Sequence, residues 1–272
     1  MPIEPSLTRA ARYRREYQFA QLALADYGLA DASLRLIKYS NTALFQVDAI
    51  ERFVLRLHPP ERFSTAVLQT ELHWLTTLRQ QTSLWVPEPV PTPDGQLLTI
   101  CELPNVADQR RAALFRWMPG HHKLRSLAAA DADRMGACLG ELHAFAAGYV
   151  PPPGFVRWKL DWGAFAESVV QRPQRLITLA SHGEQVLAVA VAHVRAALAS
   201  LQQRPHAFGL IHGDTNLSNF RFDRRRVGLL DFEAFCFGYF LFDVTRTLLD
   251  FEQIPDRAAQ LGVAFHHGYA LL

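Results

Sequence analysis

Apolar and polar positions follow different periods in the two halves of the chain. Leu7–Tyr27 has the spacing of a helix, ended near Gly28. Short β-type runs follow at Ser33–Tyr39, Leu44–Val47 and Arg52–Leu57. The last of these, RFVLRL, alternates with period two and predicts a half-buried strand, stopped by Pro59-Pro60. Val67, Leu68, Leu72, Leu75 and Leu78 then recur at helical spacing and predict a helix over Phe63–Gln80. The segment VPEPVPTPDG breaks regular structure, and Leu97–Cys101 and Ala112–Trp117 read as two more strands. Met118-Pro119-Gly120 punctuates the chain, which sets the expected boundary between lobes of residues 1–117 and 118–272.

Beyond that boundary the signal is mainly helical, at about Ala130–Ala147, Asp161–Val170 and Glu184–Gln202, with PPPG at 151–154 between the first two. The apolar stretch Val186–Leu201 contains His193 and Arg195 and reads as a buried helix of a soluble protein, not a membrane span. A short β region covers Gly209–Leu230, and helices from about Leu241 close the sequence. The expected class is α+β: a small β-rich N-terminal lobe with one main helix, then a larger helical lobe.

Composition narrows the function without naming it. Of 272 residues, 49% are hydrophobic and 20% charged, which excludes collagen-like, low-complexity and wholly disordered chains. Twenty-eight Lys and Arg against 26 Asp and Glu leave a net charge of +2, so no electrostatic footprint for nucleic acid or a membrane surface is expected. Cys101, Cys138 and Cys236 form neither a C-x-x-C pair nor a disulfide framework. With a polar N-terminus that lacks a signal-type apolar stretch, this predicts a cytoplasmic protein.

The chemistry concentrates in Leu210–Asp250. His212-Gly213-Asp214 precedes Asn219 by a five-residue step from the aspartate, and Asp231-Phe232 ends the apolar run VGLL. If Phe220–Phe222 pairs with Val227–Leu230 around DRRR, Asn219 and Asp231 meet at the open end of the hairpin. Their oxygens suit a hard cation such as Mg²⁺, and Asp214 beside it is free to accept a proton from an attacking hydroxyl. These are parts required for phosphoryl transfer. Taken singly, each residue reads as well as a turn Asp, an exposed Asn or a helix cap; the joint spacing favours the functional reading.

At this point the sequence resembles the aminoglycoside phosphotransferase and choline kinase-like group, which has the protein-kinase-like fold. The resemblance rests on H-G-D-x-x-x-x-N followed by D-F, and runs from about Ser33 to Asp250. It implies that Asp214 is the catalytic base, that Asn219 and Asp231 hold Mg²⁺, and that Asp243 supports the catalytic loop. Glu233 is implied more weakly as a metal or substrate contact. The turn Ser40-Asn41-Thr42 falls where the group covers the ATP phosphates, although it has no glycine. Arg56 stands where Lys often binds phosphate, with Glu71 as its ion-pair partner; Arg keeps the charge but changes the geometry. Backbone groups near Arg116, Trp117 and Met118 correspond to the hinge that meets adenine.

His143 reads as a packed structural histidine, and the pairs His121-His122 and His266-His267 as solvated surface. Between Tyr149 and Ala180 two acids (Asp161, Glu167) stand against four bases (Arg157, Lys159, Arg172, Arg175), which disfavours a polycationic aminoglycoside. Trp158 and Trp162 suit either stacking on an acceptor or anchoring a helix start. The expected acceptor is a hydroxyl of a small metabolite, such as an amino alcohol or sugar. A protein Ser/Thr kinase of the same fold and a catalytically weak nucleotide-binding module stay open as alternatives. The group's chains often continue through further helices, which leaves open whether this acceptor site is complete.

Overall fold

The structure, a computed structural model, describes residues 8–161 apart from 105, 107 and 125, and residues 181–270 apart from 203, 205, 206, 225 and 255. Contacts divide the chain into two units, Met1–Pro119 with Gly154–Val156, and Gly120–Pro153 with Arg157–Leu272.

In the first unit, helix α1 (Arg9–Asp26) starts where the Thr8 hydroxyl accepts the Ala11 N–H at 3.2 Å. It ends where Gly28 takes a φ of 70° and the Leu29 N–H reaches back to the Leu24 carbonyl at 2.8 Å. Strands β1 (Ser33–Tyr39), β2 (Ala43–Asp48) and β3 (Arg52–His58) form an antiparallel meander. Helix α2 (Thr65–Gln81) follows, capped by Ser64. The sheet continues through β4 (Pro89–Val90), β5 (Thr99–Glu102) and β6 (Gln109–Arg116), in the order β1-β2-β3-β6-β4, with β5 also on β6. β4 lies inside the Pro-rich segment expected to lack regular structure. Its two residues pair with Phe115 and Leu114, a short edge contact in which proline is tolerated.

Phe19, Ala20 and Leu24 of α1 pack with Phe45, Val47, Leu55, Leu57 and Leu114 to form this unit's core. The alternation in β3 is as the sequence indicates, but the burial is greater. Leu55 and Leu57 face α1, while Arg56 and His58 on the other face are buried as well. Arg56 is tolerated there because it pairs with Glu71 of α2 at 2.8 Å.

The second unit is built on α3 (Ala129–Gly148), whose Asp131 carboxylate accepts the Ala128 N–H at 2.9 Å and the Lys123 ammonium at 2.9 Å. The remaining elements are β7 (Lys159–Leu160), α4 (Ser181–Gln202), β8 (Phe208–Ile211), β9 (Phe220–Asp223), β10 (Arg226–Leu229), β11 (Cys236–Tyr239), α5 (Phe240–Phe251) and α6 (Ala258–Ala270). β9 and β10 form the expected hairpin. β11 is not evident in the sequence, because its aromatic run has no polar alternation; it pairs parallel with β7 and antiparallel with β8.

α6 lies directly against α3. A Cβ on Gly268 would stand 1.8 Å from the Asp133 carbonyl oxygen, and one on Gly136 would stand 2.0 Å from the Phe265 oxygen. Only glycine at both places lets the two backbones approach so closely. By contrast, α4 does not fit the expectation of a buried helix: Val186 and Val189 are each 56% exposed. An apolar run makes burial favourable only where a neighbour covers it, and the described core of this unit draws on α3, α5, α6, β8, β11 and the β9–β10 hairpin instead. The expected helix Asp161–Val170 lies outside the described residues beyond its first position.

Candidate active site

The loop after β8 is fixed from below by one buried carboxylate. Asp243, at the start of α5 and fully buried, accepts the His212 N–H at 2.7 Å and the Gly213 N–H at 2.9 Å. Its own backbone carbonyl takes the Thr215 hydroxyl at 2.7 Å, and Thr247 donates to the Thr215 carbonyl at 2.9 Å. A buried anion is stable here because backbone donors and His143, whose Nε2 lies 3.2 Å from it, surround it. His143 is the packed histidine expected. Its ring stacks on Phe240 at 4.5 Å, and Nδ1 meets the Tyr269 hydroxyl at 2.9 Å. Burial pushes the Tyr269 phenol up to about 12, so it stays protonated at neutral pH.

His212 is also fully buried. Its Nε2–H donates to the Leu230 carbonyl at 2.8 Å, and its Nδ1 accepts the Asp214 N–H. The ring therefore braces the loop against the hairpin. Gly213 takes a φ of 80°, and a Cβ there would stand 2.4 Å from the Ala234 carbonyl oxygen. Glycine is required by both conformation and space.

This frame presents Asp214 with its side chain 43% exposed. Oδ1 accepts from Asn216 Nδ2 at 2.8 Å, and Oδ2 from Asn219 Nδ2 at 3.1 Å. Asn219 also donates to the Asp214 carbonyl at 2.8 Å. Its amide protons are thus spent on Asp214, which leaves Oδ1 as the atom able to ligate a cation. Asn219 and Asp231 are brought together as the hairpin predicts: the Leu230 N–H donates to the Asn219 carbonyl at 2.8 Å, one residue before Asp231. Asp231 is an exposed residue at φ 63°, a left-handed conformation uncommon outside glycine, asparagine and aspartate. Glu233 is half-buried, and its carbonyl accepts Arg157 Nη1 at 3.1 Å.

One carboxylate and one amide oxygen fit Mg²⁺, which keeps several waters and takes further oxygens from substrate phosphates. Among the described residues no group of three or more His, Cys, Asp or Glu is poised to hold a metal by itself.

Two residues of this site escaped sequence reasoning. Asp250 Oδ2 accepts the Leu217 N–H at 2.8 Å, and Asp250 Oδ1 accepts Arg246 Nη1 at 2.6 Å. The available signal was their i,i+4 spacing on a helix, but that spacing does not tell which loop they face. Arg157 lies over the Phe235 ring at 3.8 Å and the Trp158 ring at 4.9 Å. Part of the basic lean of residues 149–180 is therefore engaged with its own unit. Trp162, Glu167, Arg172 and Arg175 lie outside the described residues.

In the first unit the expected pair is present: Arg56 Nη2 meets Glu71 Oε1 at 2.8 Å, with the guanidinium 4.9 Å from the Phe115 ring. Ser40, Asn41 and Thr42 form a tight turn, closed by the Ser40 N–H on the Thr42 carbonyl at 3.1 Å. With Arg15, Arg62 and Arg110 the turn lines a cavity of about 400 Å³. That cavity includes Leu57, on the α1 face of the sheet, and not Arg56 on the other face. Near the expected hinge, the Arg116 N–H is taken by the Glu88 carbonyl and the Trp117 N–H by the Arg52 carbonyl, each at 3.0 Å. The Arg116 side chain is likewise engaged, with Glu51 and Glu88. Neither of those two amides offers adenine a donor; Met118 is buried.

A β-meander whose buried Arg56 pairs with Glu71 of the following helix, together with a loop that carries Asp214 and Asn219 ahead of Asp231, defines a phosphotransferase of the kinase-like class. Residues 33–271 match the model of the phosphotransferase enzyme family (APH), and the chain belongs to that family. Among solved structures, a microcompartment-associated aminopropanol kinase is similar at 25% identity and TM-score 0.77, over 94% of this chain and 80% of that one. An amicoumacin kinase in complex with AMP-PNP and Ca²⁺ shares 17% identity at TM-score 0.75, over 97% and 80% of the respective chains. The aminoglycoside phosphotransferase APH(3'')-Id of Streptomyces rimosus shares 18% at TM-score 0.61, over 94% and 92%. No curated protein matches the sequence.

Proposed function

We propose that the protein transfers the γ-phosphoryl group of ATP to a hydroxyl of a small metabolite, such as an amino alcohol or a sugar. One observation carries this reading: Asp214 is held half-exposed by the Asn216 and Asn219 amides on a loop that a buried aspartate fixes, and Asp231 follows the residue whose N–H bonds the Asn219 carbonyl. The likeness to an aminopropanol kinase supports the acceptor class.

In this reading the acceptor hydroxyl donates its hydrogen bond to Asp214, which orients the oxygen for in-line attack and takes its proton as the bond to phosphorus forms. The β–γ bridging P–O bond breaks, and ADP leaves. Asn219 Oδ1 and the Asp231 carboxylate would hold Mg²⁺, which supplies positive charge to the phosphate oxygens. Arg56, kept in place by Glu71, binds ATP phosphate oxygens. The Ser40–Thr42 turn meets other phosphate oxygens, and the Arg116–Met118 segment, whose first two amides are spent within the unit, meets the base through its remaining groups at Met118. Residues 1–117 are then the nucleotide-binding lobe, and residues 118–272 carry catalysis and the acceptor.

The test is ADP release from Mg-ATP across a panel of amino alcohols, sugars, aminoglycosides and a generic protein substrate. Asp214→Ala serves as control. The expected result is turnover with a small hydroxyl compound, lost about 10²–10⁴-fold in the variant while nucleotide still binds. Equal activity in Asp214→Ala would overturn the assignment of the base. Turnover with the protein substrate alone would overturn the acceptor class.

A further inference from the structure

The bonds that hold the Asp214 carboxylate come from Asn216 and Asn219, residues of its own loop. Such bonds move with the loop and do not fix it to the rest of the unit. α5 supplies what they lack. Asp250 on this helix accepts the Leu217 N–H at 2.8 Å with one oxygen and Arg246 Nη1 at 2.6 Å with the other. Arg246, one helical turn before it, brings Nε to 4.0 Å from Asp214 Oδ1. The Arg246–Asp250 pair is therefore more than a solvated i,i+4 ion pair, which by itself would be worth little. It closes a loop of contacts from the helix to the backbone of the catalytic loop and on to its carboxylate.

We infer that Arg246 is a positioning residue for phosphoryl transfer: held by Asp250, it fixes the Asp214 carboxylate toward the acceptor hydroxyl. The 4.0 Å separation matters. It is close enough for charge attraction but too long for a hydrogen bond, so Arg246 restrains Asp214 without occupying the lone pair that must receive the acceptor proton. The inference rests on the reading of Asp214 as the base.

The experiment compares wild type with R246M, R246K and D214N, by ADP release from Mg-ATP with 1-amino-2-propanol as acceptor and with water alone. A misdirected base lowers kcat, so R246M is expected to lose about 10–100-fold in kcat with KM for ATP within about two-fold. R246K is expected to recover part of the loss, and millimolar guanidinium ion to restore part of the R246M rate. Amide exchange over residues 214–219, measured on the same proteins, provides a readout that needs no turnover; it should quicken in R246M. An R246M variant with wild-type kcat, or with unchanged exchange in 214–219, would overturn the inference. So would a loss that follows the melting temperature, raises KM for ATP in proportion and does not respond to guanidinium. D214N separates the two readings. If D214N is inactive and R246M is normal, only the role of Arg246 fails; if D214N is fully active, the reading of the base itself fails.

Discussion

Asp243 shows how much of the site depends on a residue that meets no substrate. Its carboxylate takes the His212 and Gly213 N–H groups and faces His143; Asp243 and His212 are fully buried, His143 nearly so and Gly213 partly. Asp243→Ala strips both amides of their acceptor, and that of His212 lies where water does not reach. A buried orphaned donor costs about 1–3 kcal/mol, so a loss of at least that order is expected in urea unfolding, together with a fall in kcat. A variant as stable as wild type would show that the buried amides had found other partners. His212, Gly213, Asp214, Asn219 and Asp231 stand out in the sequence because their spacing is short and their types are specific. Arg246 and Asp250 do not, because their partners lie some thirty positions away and only folding brings them together.

At the scale of elements, strands and helices follow from periodicity where each segment has one covered face. β1, β2, β3 and the β9–β10 hairpin fall where alternation and turn residues place them. β11 and β4 do not, because pairing with β8 and β6 decided them, and neither carries a local signal. The contact of α6 with α3 yields a sharp expectation. Gly268→Ala puts a methyl group 1.8 Å from the Asp133 carbonyl oxygen, and backbone cannot yield as a flexible side chain can. Overpacking of this kind costs about 1–3 kcal/mol or more, and it should appear as a lower melting temperature. A control at Gly262, where the nearest contact is the Leu248 side chain at 3.8 Å, should be neutral or stabilising. Equal melting temperatures for the two variants would show that α6 can slide away.

At the scale of the whole molecule, His58 links stability to pH. It is fully buried on β3, and burial, aided by the nearby cations Arg56, Arg62 and Arg111, pushes its imidazole down to about 2. The unfolded chain takes up a proton near pH 6.5 while the folded chain does not, so the unfolded state binds more protons and stability falls as pH drops below about 6.5. The slope from this group approaches about 1.4 kcal/mol per pH unit. Urea titrations at pH 7 and 5 should show a smaller decrease for His58→Asn than for wild type, and identical decreases would remove His58 as the cause. The sequence alone determined the α+β class, the order of most elements and the placement of Asp214, Asn219 and Asp231 about one loop and its hairpin, because these are fixed by periods and spacings within short stretches of chain. Tertiary structure decided that Arg56 is buried against Glu71, that α4 is exposed despite its apolar run, and that Asp243 and Asp250 of α5 hold the backbone of the loop that carries Asp214. Each of these depends on which distant surface covers a residue, and burial and pairing energies exist only once that surface is in place.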